Sequence, residues 1–311
     1  MTTTPPITRR AHAKVNLALS VGPPLPPGSP TAGYHPIASW MACIDLADEL
    51  TFSRLTASAS STYSITFAPD APKPSPVDWP IEKDLAVRAH RLLESTLGTP
   101  LPSAITIRKR IPVGGGLGGG SSDAATTLIA LRDLFRLDLT NGQLASLSSR
   151  LGSDIAFFLD DAHPAPPALV TGLGDELERF PRLQLPILLV IPPMGCPTRP
   201  VYKAYDQHPV PLRAAEVRRL IALSAKGPGD GYLNPHELFN DLAAPACRVE
   251  PQLQGFIDRI RALTPLPVHV TGSGSTLFIM PPTRDSGDLA RAETAIRRAL
   301  PQLIPVMTRI L

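Results

Sequence analysis

Between residues 114 and 120 the chain carries six glycines interrupted only by Leu117. With no Cβ atoms in the way, successive backbone N–H groups can converge on a ligand. Residues 104–107 read as a short strand before this run, and the basic residues Arg108, Lys109 and Arg110 follow that strand. Behind the run, Ala124, Leu128, Leu131 and Phe135 fall on one stripe of a helix. Ser121 and Ser122 are expected to start that helix, adding its positive end and two hydroxyls to the amides of the loop. A phosphate chain is the ligand class such a strand, loop and helix accommodate. A flexible linker would have no apolar residue at its centre and no amphipathic helix directly behind it.

Two familiar phosphate loops are excluded by spacing. A Walker A loop needs Gly-Lys-Ser/Thr, and here Gly120 is followed by Ser121, Ser122 and Asp123. The G-x-G-x-x-G dinucleotide pattern is met formally by Gly114, Gly116 and Gly119, with Asp138 downstream. That acid, however, stands in the turn after a helix rather than at the end of a second buried strand. Hydride transfer is therefore the weaker class.

The 311 residues, 43% of them apolar, exceed what one hydrophobic core usually organises, so two domains are expected. The boundary falls near the proline-bearing stretch at residues 160–166, dividing the chain into 1–163 and 164–311. A net charge of +3, with Lys and Arg spread along the chain, advertises neither a nucleic-acid nor a membrane partner. Cys43, Cys196 and Cys247 suit neither a disulfide framework nor a zinc site, and imply a reducing compartment. No apolar leader or membrane span is read, so a cytoplasmic protein is expected.

Residues 13–21 alternate, with Val15, Leu17, Leu19 and Val21 on one face and Lys14, Asn16, Ala18 and Ser20 on the other. They predict a half-buried strand projecting Lys14 and Asn16 together from its polar side. Strands are also read at residues 37–44, within 50–55 and at 62–67. Helices are read at 84–97 and from Thr140, with Gln143 completing a capping box and Gly152 ending the helix, so that Asp154 follows its C-terminus. Two proline runs, at 22–30 and 68–80, are surface connections. Past Pro164 come a strand in LPILLVIP, a long polar and helical stretch to about residue 261, a strand pair flanking Thr271–Ser275, and a helix over 288–300.

Four stretches in this order, AKVNLAL with GYHPI, PVGGGLGGGSSDAA, LGSDIAFFL and TGSGS, resemble the GHMP kinases over nearly the whole chain. The resemblance implies an α+β fold of two domains. The first is ribosomal protein S5 domain 2-like, containing a left-handed βαβ unit; the second is a C-terminal α+β, ferredoxin-like domain, with the active site in the cleft between them. The activity implied is ATP-dependent phosphorylation of a hydroxyl in isoprenoid precursor synthesis, with ATP bound as Mg-ATP. The Gly-Tyr-His element points to a cytidine diphosphate-linked polyol as the small-molecule acceptor. Matching positions assign Lys14 and Asp154 to catalysis. Pro112, Val113, Gly114, Gly115, Gly116, Leu117, Gly118, Gly119, Gly120, Ser121 and Ser122, with Lys109, are assigned to ATP. Asn16, Tyr34, His35, Thr198 and Tyr202 are assigned to the acceptor. No metal ligand is assigned, and a monomer or weak homodimer is expected.

Phosphoryl transfer needs a positioned hydroxyl, a base for its proton and charge compensation at the moving group, which one carboxylate and one cation can supply. In that scheme Asp154 is the base, and Lys14 orients its carboxylate and offsets charge. On residue type alone, Lys14 also reads as a solvated strand lysine, Asp154 as a turn cap, Tyr34 and His35 as an ordinary turn, and Tyr202 as core. The chain departs from the family pattern at Asp84, where asparagine is usual beside the adenine, and at Ile155 and Ala156, where Val-Pro is common. Its first proline run is also longer than usual.

Overall fold

The computed structural model describes residues 5–224, 233–282 and 285–311. The chain forms two compact units. One comprises Met1–Ala13, Leu46–Val113 and Gly118–Ala165, the other Lys14–Asp45, Gly114–Leu117 and Pro166–Leu311. Two long paired strands, β1 (Ile7–Val21) and β2 (Ile37–Arg54), run through both. The two strands expected at 37–44 and 50–55 are thus one. Leu46 and Ala47, between the two expected strands, are buried and keep the strand inside the core.

In the first unit, β3 (Thr62–Phe67) is followed by α1 (Leu85–Leu97) and β4 (Ser103–Lys109). Residues Glu49–Arg54 of β2 pair antiparallel with β4, while β3 pairs parallel with β4, Thr62 opposite Ala104. Parallel neighbours need a crossover, and α1 supplies it. This helix begins where the Asp84 carboxylate accepts from Ala86 N and ends at Gly98, whose φ of 64° is left-handed. Beside it packs α2 (Gly119–Phe135), then α3 (Asn141–Ser148) and the single turn α4 (Ile155–Phe158). The Thr140–Gln143 capping box is present, but α3 stops at Ser148 rather than running to Gly152. Asp154 accordingly stands at the start of α4, not simply behind a helix.

In the second unit, β5 (Ala168–Thr171) pairs with Ser39–Met41 of β2 and with β6 (Glu176–Arg179). Next come β7 (Pro186–Ile191), α5 (Thr198–Tyr205), α6 (Ala214–Ser224), α7 (Ala243–Val249) and α8 (Pro251–Arg261). The chain finishes with β8 (Val268–Val270), β9 (Leu277–Ile279), α9 (Gly287–Ala299) and β10 (Ile304–Arg309). Part of the polar stretch, residues 225–232, lies outside the described residues. The second sheet is antiparallel in the order β10–β7–β9–β8. Numbered along the chain this is 4-1-3-2, the ferredoxin-like arrangement. Ile187 to Ile191 of β7 are all buried, which is why that strand reads as an unbroken apolar run.

Candidate active site

The polar side of β1 is not solvated. Lys14 is 3% exposed and Asn16 2%, and every residue from Ala11 to Val21 is buried. This corrects both the half-buried strand and the solvated-lysine reading. The cover comes from distant chain: Lys14 N donates to Leu117 O at 2.9 Å, and Asn16 N donates to Thr271 Oγ1 at 2.9 Å. Lys14 Nζ donates to Asn16 Oδ1 at 2.7 Å, so one residue on the strand holds the head group of the other.

Thr271–Ser275 is more than a turn between strands. An ideal Cβ on Gly116 would lie 2.5 Å from Thr271 O, and Gly116 has φ of 75°. Glycine is required there by close protein packing as well as by any ligand. Thr276 N reaches Gly115 O at 3.3 Å, joining the tip of the glycine loop to the same turn. Asn240, unnoticed in the sequence, fixes this turn by donating Nδ2 to both Val270 O and Gly272 O at 2.8 Å, while its Oδ1 accepts from Leu242 N. Gly116→Ala is expected to cost about 1–3 kcal/mol of stability through strain and clash. Urea unfolding reads this directly, and a cost below about 0.5 kcal/mol would mean that the turn moves aside freely.

His35 forms an aromatic cluster with Tyr202 and Tyr205 of α5. His35 Nδ1 donates to Gly22 O at 3.0 Å and its Nε2 lies 3.1 Å from Asp206 Oδ1. Its ring centroid is 5.1 Å from that of Tyr202 and 5.7 Å from that of Tyr205. The intervening proline-rich loop is closed at its neck by Gly22 N to Pro36 O and Leu25 N to Tyr34 O, both 2.8 Å. Tyr34 is 64% exposed, whereas the side chain of the adjacent His35 is only 5% exposed. Tyr202 is half-buried, and the fully buried aromatic of this helix is Tyr205, whose hydroxyl donates to Val21 O. Thr198, at the start of α5, is 3.1 Å from the Ser273 hydroxyl.

In the first unit α2 begins earlier than expected. Gly118, with φ of 70°, is the N-cap, and no side chain caps the helix. Ser121 and Ser122 therefore lie inside the first turn instead of starting it, because glycines can adopt the cap conformation without the polar side chain that would signal it. Lys109 is enclosed: its Nζ donates to Asp48 Oδ2 at 2.5 Å and to Asp123 Oδ2 at 2.6 Å. Asp48 Oδ1 in turn accepts from Arg110 N at 2.5 Å and Ile111 N at 2.8 Å. Strand end, loop entry and the first turns of α2 are thereby tied by one ion cluster, so Lys109 braces the glycine loop from inside. Burial would lower the Lys109 pKa, but Asp123 and Asp48 outweigh it and hold the ammonium above its ordinary value. Burial pushes Asp123 well above the usual carboxylate range, with Lys109 pulling it back.

Asp84 uses both oxygens structurally, Oδ1 for Ala86 N at 2.9 Å and Oδ2 for Trp79 Nε1 at 3.2 Å. An aspartate can stand at this position because the local bonds ask only for acceptors. Asp154 is half-buried, and its side chain makes no capping bond to α4. The buried Ile155, Ala156, Phe157 and Phe158 fix the turn behind it. Among the described residues no cluster of three or more His, Cys, Asp or Glu could hold a metal.

The profile of the GHMP kinases N terminal domain matches residues 84–161, which include the glycine loop and Asp154. A 4-diphosphocytidyl-2-C-methyl-D-erythritol kinase from Moorella thermoacetica is 36% identical over 296 residues, covering 94% of this chain and 93% of the relative. The chain belongs to the 4-diphosphocytidyl-2-C-methyl-D-erythritol kinase family. A solved structure of such a kinase superposes with a TM-score of 0.72 at 31% identity, covering 98% of this chain and 99% of that one. A homoserine kinase from Cytophaga hutchinsonii superposes with a TM-score of 0.70 at 13% identity, covering 100% of this chain and 96% of its own, which shows the shared fold alone. Membership in this kinase family makes the chain an ATP-dependent phosphotransferase acting on a hydroxyl.

Proposed function

We propose that this chain transfers the γ-phosphoryl of ATP to the 2-hydroxyl of 4-diphosphocytidyl-2-C-methyl-D-erythritol, in the non-mevalonate route to isoprenoid precursors. The observation that carries the acceptor is the ring pair of His35, whose side chain is 5% exposed and held by Gly22 and Asp206, and half-buried Tyr202, with exposed Tyr34 next to His35 in the chain. Flat rings with a polar edge between them suit a pyrimidine. An acceptor such as mevalonate or homoserine presents no ring for them. Thr198 and Asn16 complete the acceptor residues of this reading.

Pro112 to Ser122 form the ATP loop, with amides from the loop and from the α2 N-terminus directed at phosphate. Asp154 takes the proton of the attacking hydroxyl, and Lys14 offsets the negative charge that develops on the transferred group. Magnesium brought with ATP would neutralise phosphate charge. The half-buried Ser121 hydroxyl in the first turn of α2 fits a metal carried mainly by phosphate oxygens, since Mg²⁺ commonly takes only one or two protein ligands. Residues 1–163 form the ATP-binding domain of this reading and 164–311 the second domain. No helix among the described residues is long and apolar enough to cross a membrane, consistent with cytoplasmic work.

The test is ADP release with Mg-ATP and each of three alcohols: the cytidylyl compound, mevalonate and homoserine. Turnover is expected with the first alone, and Tyr202→Ala should raise its KM by about 10-fold or more, the loss of one stacking partner. Turnover confined to another alcohol would remove the acceptor assignment and leave the kinase.

A further inference from the structure

The bond between Lys14 and Asn16 depends on which way the Asn16 amide faces, and two neighbours decide that independently. An ammonium offers only donors, so the atom facing Lys14 Nζ at 2.7 Å must be the amide oxygen. On the other side, Asn16 Nδ2 lies 2.8 Å from Ser39 Oγ. The Ser39 hydroxyl proton is already committed, since Ser39 Oγ donates to Ala18 O at 2.9 Å and a carbonyl can only accept. Ser39 can therefore offer Asn16 nothing but a lone pair, which demands the NH₂ group. Ala18 O, Ser39, Asn16 and Lys14 form a chain of hydrogen bonds with one direction.

All three side chains are sealed from water: Ser39 is 0% exposed, Asn16 2% and Lys14 3%. Water cannot substitute for a lost partner there, so each link retains its full effect on the next. The Asn16 backbone is fixed separately by Thr271 Oγ1, whose hydroxyl also lies 3.5 Å from Asn16 Oδ1 as a long contact on the oxygen side, and Ser39 fixes the NH₂ side of the amide.

We infer that Ser39 is a positioning residue for the phosphoryl-transfer reaction, setting the polarity of the Asn16 amide so that its oxygen holds the Lys14 ammonium. Without the hydroxyl the Asn16 NH₂ loses its acceptor and the amide is no longer held on that side, so its plane can swing and carry the Lys14 ammonium from its working place. The inference rests on the catalytic reading of Lys14, so that reading is checked first. Lys14→Met should abolish turnover, and full activity in that variant would remove the reading without touching Ser39.

With Lys14 established, Ser39→Ala should lower kcat by about 10- to 100-fold with KM for ATP within about twofold. Ser39→Thr, which restores a hydroxyl on a strand position that tolerates branching, should recover kcat to within about threefold of wild type. Ser39→Cys keeps the volume and supplies only weak bonds, so it serves if the alanine variant folds poorly, and it too should be slow. Wild-type kcat in a folded Ala or Cys variant overturns the inference. So does a threonine variant with unchanged melting temperature that is as slow as alanine, because the hydroxyl would then be present without effect.

Discussion

Asp154→Asn is expected to lower kcat by about 10²- to 10⁴-fold while leaving KM for ATP within about twofold. The substitution keeps the size of the side chain and one oxygen acceptor, and removes the negative charge together with the ability to take a proton. Asp154 does not cap α4, and the turn is held by Ile155 and Phe157, both fully buried, so the melting temperature should stay within about 2 °C of wild type. A fall in kcat with KM and stability preserved assigns Asp154 to the chemical step. The opposing result is informative because phosphoryl transfer through a loose transition state forms little bond to the attacking hydroxyl, so little positive charge develops on its oxygen. A loss smaller than about 10-fold would mean that the hydroxyl proton leaves late and without this base, and charge compensation by Lys14 would then carry the catalysis.

What the sequence revealed of this site, and what it hid, follows from the range of the interactions. The glycine loop was legible because its meaning is local: missing side chains, a strand before and an amphipathic helix behind. The ferredoxin-like order of the second sheet followed from the resemblance, whereas β5, β6 and α4, four residues each, are too short to register a period. The burial of Lys14 and Asn16 was invisible, because the covering groups sit 23 residues away at Ser39 and 255 away at Thr271. Alternation correctly put the two residues on one face and wrongly left that face in water. Asn240 escaped for the same reason, its two carbonyl partners lying 30 and 32 residues downstream. Lys109 was noticed as one of three consecutive basic residues, but nothing nearby shows that Asp48, 61 residues upstream, and Asp123, 14 downstream, enclose it.

Lys109→Met is expected to be the most destabilising substitution among the residues of this site, at about 3–5 kcal/mol, because it strands two buried carboxylates. Against a typical total stability of about 5–15 kcal/mol, such a loss is large enough to see by urea unfolding, and it should carry a pH signature. In the variant nothing opposes the burial that already raises Asp123, so its folded carboxyl retains its proton to higher pH than in the unfolded chain. The stability contributed by that proton is complete below the unfolded carboxylate pKa of about 4 and is lost as pH rises through the raised folded value. The wild-type lysine changes little across this range, since its own raised pKa confines its loss to pH above the ordinary lysine value of about 10.4. The deficit of the variant should therefore be smaller at about pH 5 than at about pH 8. Adding Asp123→Asn should return part of the stability by removing one stranded charge, giving a coupling energy of about 1–3 kcal/mol in a double-mutant cycle. A deficit independent of pH, with additive effects in the cycle, would show that Lys109 acts through its packed methylenes instead. In that case the glycine loop would be anchored by the Asp48 bonds to Arg110 N and Ile111 N alone.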